Sequence, residues 1–219
     1  MSAPSRIAVL ASGRGSNLQC LLDGIADGQL HARIAGVFSD RPGAAALDKV
    51  ATAQRWARKP GEFASREAFD AALGEAVAAS APDWIVCAGY MRILGAGFVQ
   101  RFAGRLVNIH PSLLPRHKGL HTHTRAIEAG DAEHGASVHF VVPELDAGAV
   151  IAQAVVPVLA GDNAETLAAR VLAVEHPLLL AATRLLVAGR ITEQDGKVWL
   201  DGQSLFSPLR LDSAGKLPA

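Results

Sequence analysis

The arrangement that most limits what this chain can fold into is an alternation of short apolar runs with segments of helical spacing. Residues 6–12, 32–39, 84–88, 106–109, 137–142 and 150–156 are short runs rich in Val, Ile, Leu and Ala. Between or after them, residues 16–27, 44–52, 65–79 and 166–188 carry helical patterns. Phe69, Leu73 and Val77 recur every fourth residue, which puts them on one helix face. Runs with apolar residues at every position suit strands buried on both sides, and helices between them suit parallel pairing. The expected class is therefore α/β: a mostly parallel sheet with helices on both faces.

Local signals refine this outline. Ser16 is placed to cap the first helix, with Gln19 completing a capping box. Asp40-Arg41-Pro42-Gly43 ends the second strand as a turn. Pro177 should kink or split the helix over 166–188. Asp195-Gly196 at the centre of 191–200 signals a small C-terminal hairpin. The expected organisation is one domain over 1–202, with 203–219 as a tail.

Composition excludes several classes of function. The chain has 219 residues, with 21 Lys+Arg against 21 Asp+Glu. Zero formal charge leaves no basic excess to drive counterion release from nucleic acid. A half-hydrophobic, weakly charged chain is not disordered. Cys20 and Cys87, the only cysteines, make neither a CxxC motif nor a disulfide framework. The apolar N-terminal run is too short for a signal peptide, and no uninterrupted apolar stretch would span a membrane. The expectation is a cytoplasmic protein with no nucleic-acid or membrane partner.

In open parallel sheets, ligands meet the carboxyl ends of strands. Ser12-Gly13-Arg14-Gly15-Ser16-Asn17 lies at such an end, before a helix whose free N–H groups would suit an anion. Three readings are open: a plain turn, a monophosphate cradle and a dinucleotide site. The dinucleotide reading lacks the third glycine, because Leu18 occupies it, though Asp40 stands where a ribose-binding acid would.

Six of the eight histidines fall between His110 and His139. Asn108 and His110 are two apart at a strand end, so both side chains project from one face. An amide donor beside an imidazole suits an oxyanion, and imidazole also moves protons near neutral pH. A locally satisfied polar strand end is the bland alternative. His121-Thr122-His123 is a weak metal motif with no Cys ligand or HExxH helix in support, so no metal is expected. His117 and His134 read as ordinary loop or surface residues. Asp146, in Pro143-Glu144-Leu145-Asp146-Ala147-Gly148, is either a turn former or the partner of a histidine. Glu175, amid apolar neighbours, needs a partner if buried, and His176 or a ligand amine would serve.

These motifs, with Ala88-Gly89-Tyr90-Met91-Arg92-Ile93-Leu94, Asn108-Ile109-His110-Pro111-Ser112-Leu113-Leu114-Pro115, Gly119-Leu120-His121-Thr122-His123 and His134-Gly135-Ala136-Ser137-Val138-His139-Phe140, occur in one order. In that order the chain resembles the glycinamide ribonucleotide formyltransferases over residues 6 to 202. The resemblance implies a Rossmann-like formyltransferase fold and transfer of a formyl group from 10-formyltetrahydrofolate to the amine of glycinamide ribonucleotide in purine synthesis. It implies that Asn108, His110 and Asp146 are catalytic. Gly13, Arg14, Gly15, Ser16 and Asn17 then match the loop for the ribonucleotide phosphate. Leu172, Ala173, Val174 and Glu175 match the helix beside the glycinamide end. Arg66, Met91, Arg92, Ile93 and Leu94 match folate-binding positions, as do Asn108, Val142, Pro143, Glu144, Leu145 and Asp146. The small-molecule partners would be the ribonucleotide and the formyl folate, acted on by a monomer or homodimer.

Three rivals stand beside this reading. A formyltetrahydrofolate hydrolase would share the folate site but is expected to carry an N-terminal regulatory domain, for which a first strand at residue 6 leaves no room. A methionyl-tRNA formyltransferase is expected to carry a basic C-terminal extension. A nucleotide-binding redox or regulatory module would use Gly13 and Asp40 without Asn108 or His110.

Overall fold

The computed structural model describes residues 3–218 and divides into two compact units, Met1–Asn108 and Ile109–Ala219. Among the described residues no helix is long and apolar enough to cross a membrane.

The first unit contains β1 (Ser5–Leu10), α1 (Ser16–Ala26), β2 (Ala32–Ser39), β3 (Arg55–Ala57), α2 (Arg66–Ala79), β4 (Trp84–Cys87), α3 (Ala96–Arg101) and most of β5 (Leu106–His110). Its strands pair in parallel in the order β5-β4-β1-β2-β3. Ile7, Val9, Ile85, Val86 and Val107 are fully buried, which is why these strands tolerate no polar alternation. Ser65 caps α2 by accepting the Ala68 N–H at 3.2 Å, and the expected stripe of Phe69, Leu73 and Val77 is fully buried.

Phe69 meets Phe63 edge-on at 5.3 Å and Trp56 at 5.8 Å. Replacing Phe69 with alanine is expected to cost about 3–5 kcal/mol, measurable as a lowered urea midpoint. A loss below about 1 kcal/mol would mean that the aromatic cluster does not hold α2 in place.

The second unit contains α4 (Thr122–Glu128), β6 (Glu133–Phe140), β7 (Val150–Pro157), α5 (Ala164–Val187), β8 (Ile191–Gln194), β9 (Lys197–Leu200), β10 (Gln203–Ser204) and β11 (Leu209–Arg210). β6 and β7 are antiparallel, and β11 runs parallel to β7. β8, β9 and β10 form a separate antiparallel sheet whose first turn carries Asp195 and Gly196 at φ 51° and 72°. Those left-handed angles are what a two-residue hairpin of this type demands. The fold class is a mostly parallel α/β sheet with flanking helices and a small C-terminal hairpin.

Several local expectations give way. Helix α5 is not split at Pro177 but continues from Ala164 to Val187, with Val171, Leu178, Leu179 and Ala182 buried. Apolar packing along the helix outweighs the loss of one N–H. Residues 44–52 form no α-helix but a 3₁₀ turn at Ala45–Lys49, because Ala46 N–H bonds back to the Gly13 carbonyl at 3.0 Å. Residues 203–211, expected as tail, supply β10 and β11.

Candidate active site

In the first unit, β1, β4 and β5 are adjacent and parallel, so the segments that follow them leave from one end of the sheet. The Ser12 N–H donates to the Gly89 carbonyl at 3.0 Å, and the Met91 N–H donates to Ser12 Oγ at 2.9 Å. Ser12 Oγ donates to the buried Asp40 carboxylate at 2.5 Å. Asp40 is thereby engaged in tying two strand ends together.

The glycine turn sits above this. Gly15 has φ 74°, and a Cβ there would lie 2.7 Å from Ala46 Cβ. The left-handed Gly15 takes the N-cap of α1, and Ser16 caps nothing. The expected capping box is absent because Gln19 is used elsewhere: its amide donates to Asp23 and its carbonyl accepts from Lys49 Nζ at 3.0 Å. Gly13 and Arg14 are exposed, Ser16 is half-buried and Asn17 is buried. No side chain caps this helix start, and helix N-termini favour anions.

Residues 91–95 follow β4 outside any regular element and are pinned to α2. Arg66 Nη2 donates to the Ile93 carbonyl at 2.6 Å, and the Gly95 N–H donates to Asp70 at 2.8 Å. The Arg92 guanidinium lies 5.0 Å over the Phe69 ring. Leu94 is buried, while Met91 and Ile93 remain 55% and 54% exposed. Two large apolar side chains held open on a braced strand-end segment are the makings of a ligand wall. Asn108 pairs in register with Cys87 on the neighbouring strand.

In the second unit His110 is held at both ring nitrogens. Its Nε2–H donates to the His117 carbonyl at 3.1 Å, and its Nδ1 lies 3.5 Å from Asp146 Oδ2. A carbonyl only accepts, so Nε2 carries a proton and Nδ1 is the nitrogen that faces Asp146. Asp146 Oδ2 also accepts the Gly119 N–H at 2.8 Å. On its other side His139 Nε2 lies 3.7 Å from Asp146 Oδ1, while His139 Nδ1–H donates to the Phe140 carbonyl at 2.8 Å. Asp146 itself is left-handed at φ 46°. This loop is tight, since a Cβ on Gly148 would lie 1.9 Å from the Phe140 carbonyl oxygen.

Val142 is half-buried, Pro143, Glu144 and Leu145 are exposed, and Leu145 Cδ2 lies 3.5 Å from where a Gly119 Cβ would be. On α5, Leu172 and Val174 are half-buried, Ala173 is exposed and Glu175 is buried. The structure thus joins His110 to Asp146 and Arg66 to Ile93, across 36 and 27 residues respectively.

His117 and His134 depart from the expectation of ordinary surface residues. His134 is 1% exposed, and its Nε2 lies 3.1 Å from His123 Nδ1. His117 Nε2–H donates to Asp131 at 2.6 Å. Sequence reading overlooked His134 because Glu133 and Gly135 beside it look exposed, and Asp131 because it lies 14 residues from its partner. His121 is exposed and caps α4 with φ 57°, while His123 turns to His134. Among the described residues no group of three or more His, Cys, Asp or Glu side chains is arranged to hold a metal ion.

Burial, then the neighbouring His123 and His117, lowers the His134 pKa to about 4. Burial lowers that of His139 as well. The unfolded chain titrates near 6.5 and so binds more protons than the folded one between about 6.5 and 4. Stability contributed by neutral His134 is present above pH 6.5 and lost as pH falls toward 4. The urea midpoint should therefore drop on acidification through that window, and His134→Gln should drop less steeply. A His134→Gln slope equal to the wild-type slope would exclude this source.

An α/β sheet that carries an amide and a carboxylate-paired imidazole at its strand ends is the framework of a group-transfer enzyme. The chain belongs to the formyl transferase family, whose pattern matches residues 5–183. It is 46% identical over 201 residues to the phosphoribosylglycinamide formyltransferase of Escherichia coli K12, covering 91% of this chain and 95% of that one. The phosphoribosylglycinamide formyltransferase of Coxiella burnetii superposes with a TM-score of 0.86 at 42% identity, covering 92% of this chain and 96% of that one. A formyltetrahydrofolate deformylase from Pseudomonas syringae gives 0.80 at 28% identity, covering 90% of this chain but 65% of that one.

Proposed function

We propose that this chain is a phosphoribosylglycinamide formyltransferase, moving the formyl group of 10-formyltetrahydrofolate to the glycinamide amine of the ribonucleotide in purine synthesis. The observation that carries the chemistry is the His110 ring, whose Nε2–H is held by a carbonyl and whose Nδ1 faces Asp146. Identity of 46% over nearly the full length of a phosphoribosylglycinamide formyltransferase supports the choice of substrates.

In this reading Gly13, Arg14, Gly15, Ser16 and Asn17 hold the phosphate at the start of α1. Leu172, Ala173, Val174 and Glu175 flank the glycinamide end, with the Glu175 carboxylate taking the amine. Arg66, Met91, Arg92, Ile93 and Leu94 bind the folate, together with Val142, Pro143, Glu144 and Leu145. The amine attacks the formyl carbon, a C–N bond forms, and the bond to the folate nitrogen breaks. Asn108 and an imidazolium at His110 stabilise the developing oxyanion, Asn108 by donating to it and the imidazolium, held between the His117 carbonyl and Asp146, by its positive charge. Asp146 balances the imidazolium charge and orders a water that carries the amine proton to the leaving nitrogen. The acceptor is the substrate amine, so no enzyme nucleophile is required. Two bound substrates react as one complex, which supplies much of the rate.

Residues 1–202 act as one formyltransferase domain, to which 203–211 add β10 and β11. The protein works in the cytoplasm as a monomer or homodimer, without nucleic-acid or membrane partners and without a metal.

The test is consumption of 10-formyltetrahydrofolate by the purified protein with and without glycinamide ribonucleotide. Turnover is expected only with the ribonucleotide. Equal turnover without it would make the protein a hydrolase, and binding of a dinucleotide with no formyl chemistry would revive the nucleotide module.

A further inference from the structure

We infer that His117 and Asp131 are positioning residues: Asp131 anchors the His117 side chain, and the His117 main-chain carbonyl in turn sets the orientation and tautomer of His110. The inference rests on reading His110 as the catalytic imidazole.

Of the loop contacts at the His110 ring, the His117 carbonyl is the one that meets Nε2. The neighbouring main-chain groups are tied elsewhere. Ser112 Oγ donates to the Arg116 carbonyl at 2.7 Å, Arg125 Nη1 to the Lys118 carbonyl at 2.6 Å, and the Gly119 N–H to Asp146. His117 itself has φ 53°, a left-handed conformation disfavoured for a residue with a Cβ and kept only when surroundings impose it.

What imposes it is the Asp131 carboxylate, 2.6 Å from His117 Nε2, with both side chains largely shielded at 12% and 17% exposure. Residues 117 and 131 flank α4 on either side, so the pair clamps the loop to the far end of that helix. Arg116 Nη1 lies 3.5 Å from the other Asp131 oxygen, and the His134 ring centroid is 6.0 Å from that of His117. These groups face the anchor.

The consequence follows from donor counting. With the His117 carbonyl in place, His110 keeps its proton on Nε2 and offers Nδ1 for exchange near Asp146. With the carbonyl displaced, either nitrogen takes the proton, and part of the enzyme presents the wrong tautomer. Asp131 therefore acts on the reaction through two links and without touching either substrate.

The experiment compares wild type with Asp131→Ala, Asp131→Asn and Asp131→Glu. It reads kcat, KM for both substrates, and the His110 tautomer by ¹⁵N imidazole resonances. Asp131→Ala is expected to lower kcat about tenfold or more, with both KM values within about twofold of wild type, and to turn a single Nε2–H tautomer into a mixture. Asp131→Glu should regain most of the rate. Asp131→Asn, which keeps an acceptor for His117, should fall between and serves if the alanine variant does not fold.

An unchanged His110 tautomer would overturn the inference whatever the rate does. A raised KM at constant kcat would also overturn it, by making the loop a substrate contact. A mixed tautomer at wild-type kcat would overturn the catalytic consequence, and His110→Ala measured alongside tells whether the reading of His110 itself has failed.

Discussion

His110→Ala is expected to lower kcat by about 10²–10³-fold, the usual loss when one preorganised oxyanion-stabilising group is removed. The ring is buried and oriented from both sides, by the His117 carbonyl at 3.1 Å and by Asp146 at 3.5 Å. It enters the reaction already aimed, so little reorganisation is needed as charge develops. Asn108→Ala should cause a loss of the same order, and the double variant should lose less than the product of the two, as expected of residues proposed to act on one oxyanion. KM for either substrate should change little.

His110→Gln separates chemistry from loop support. Its amide can still donate to the His117 carbonyl, yet it has no titrating nitrogen facing Asp146. The glutamine variant should keep the wild-type thermal midpoint and stay as slow as alanine. Recovery of activity in His110→Gln would reduce the histidine to a loop support.

Much of this molecule is legible before any coordinates. The sheet is, because strands buried on both faces must be apolar at every position, and Ile7, Val9, Ile85 and Val86 are. The α2 stripe and the Asp195-Gly196 hairpin are legible because each depends on neighbours in sequence. The short helices α3 and α4 are not, since a turn or two of helix has no period to detect. Residues 44–52 mislead for another reason: their alanines favour helix, but Ala46 is claimed by the glycine turn. Tertiary contact outweighs propensity there.

The site divides along the same line. Asn108 and His110 are visible as a strand-end pair, and the motif order points to Asp146 by resemblance. That Asp146 meets His110 depends on a loop returning from far along the chain, and that His117 lends a carbonyl rather than a side chain depends on the irregular turn between His110 and His117. No local pattern encodes such a return.

Asp146→Asn should be nearly as damaging as loss of His110, about 10²–10³-fold in kcat. The substitution is chosen because it changes little else. Asp146 is left-handed at φ 46°, a conformation that asparagine tolerates and most residues do not. An asparagine carbonyl can replace the carboxylate oxygen that accepts the Gly119 N–H at 2.8 Å. The loop over 142–148 should keep its shape, and the thermal midpoint should stay close to wild type.

What disappears is one negative charge beside His110 Nδ1. Asp146→Ala removes the same charge but adds left-handed strain of about 1–2 kcal/mol and abandons Gly119. Its midpoint should fall where that of asparagine does not, while the two kcat values coincide. If rate followed the midpoint instead, so that Asp146→Asn were active and Asp146→Ala were not, the carboxylate would be a loop former and the charge would have no part in catalysis. Equal rates at unequal stabilities would assign the effect to the charged carboxylate facing His110 and His139 and not to the loop it holds.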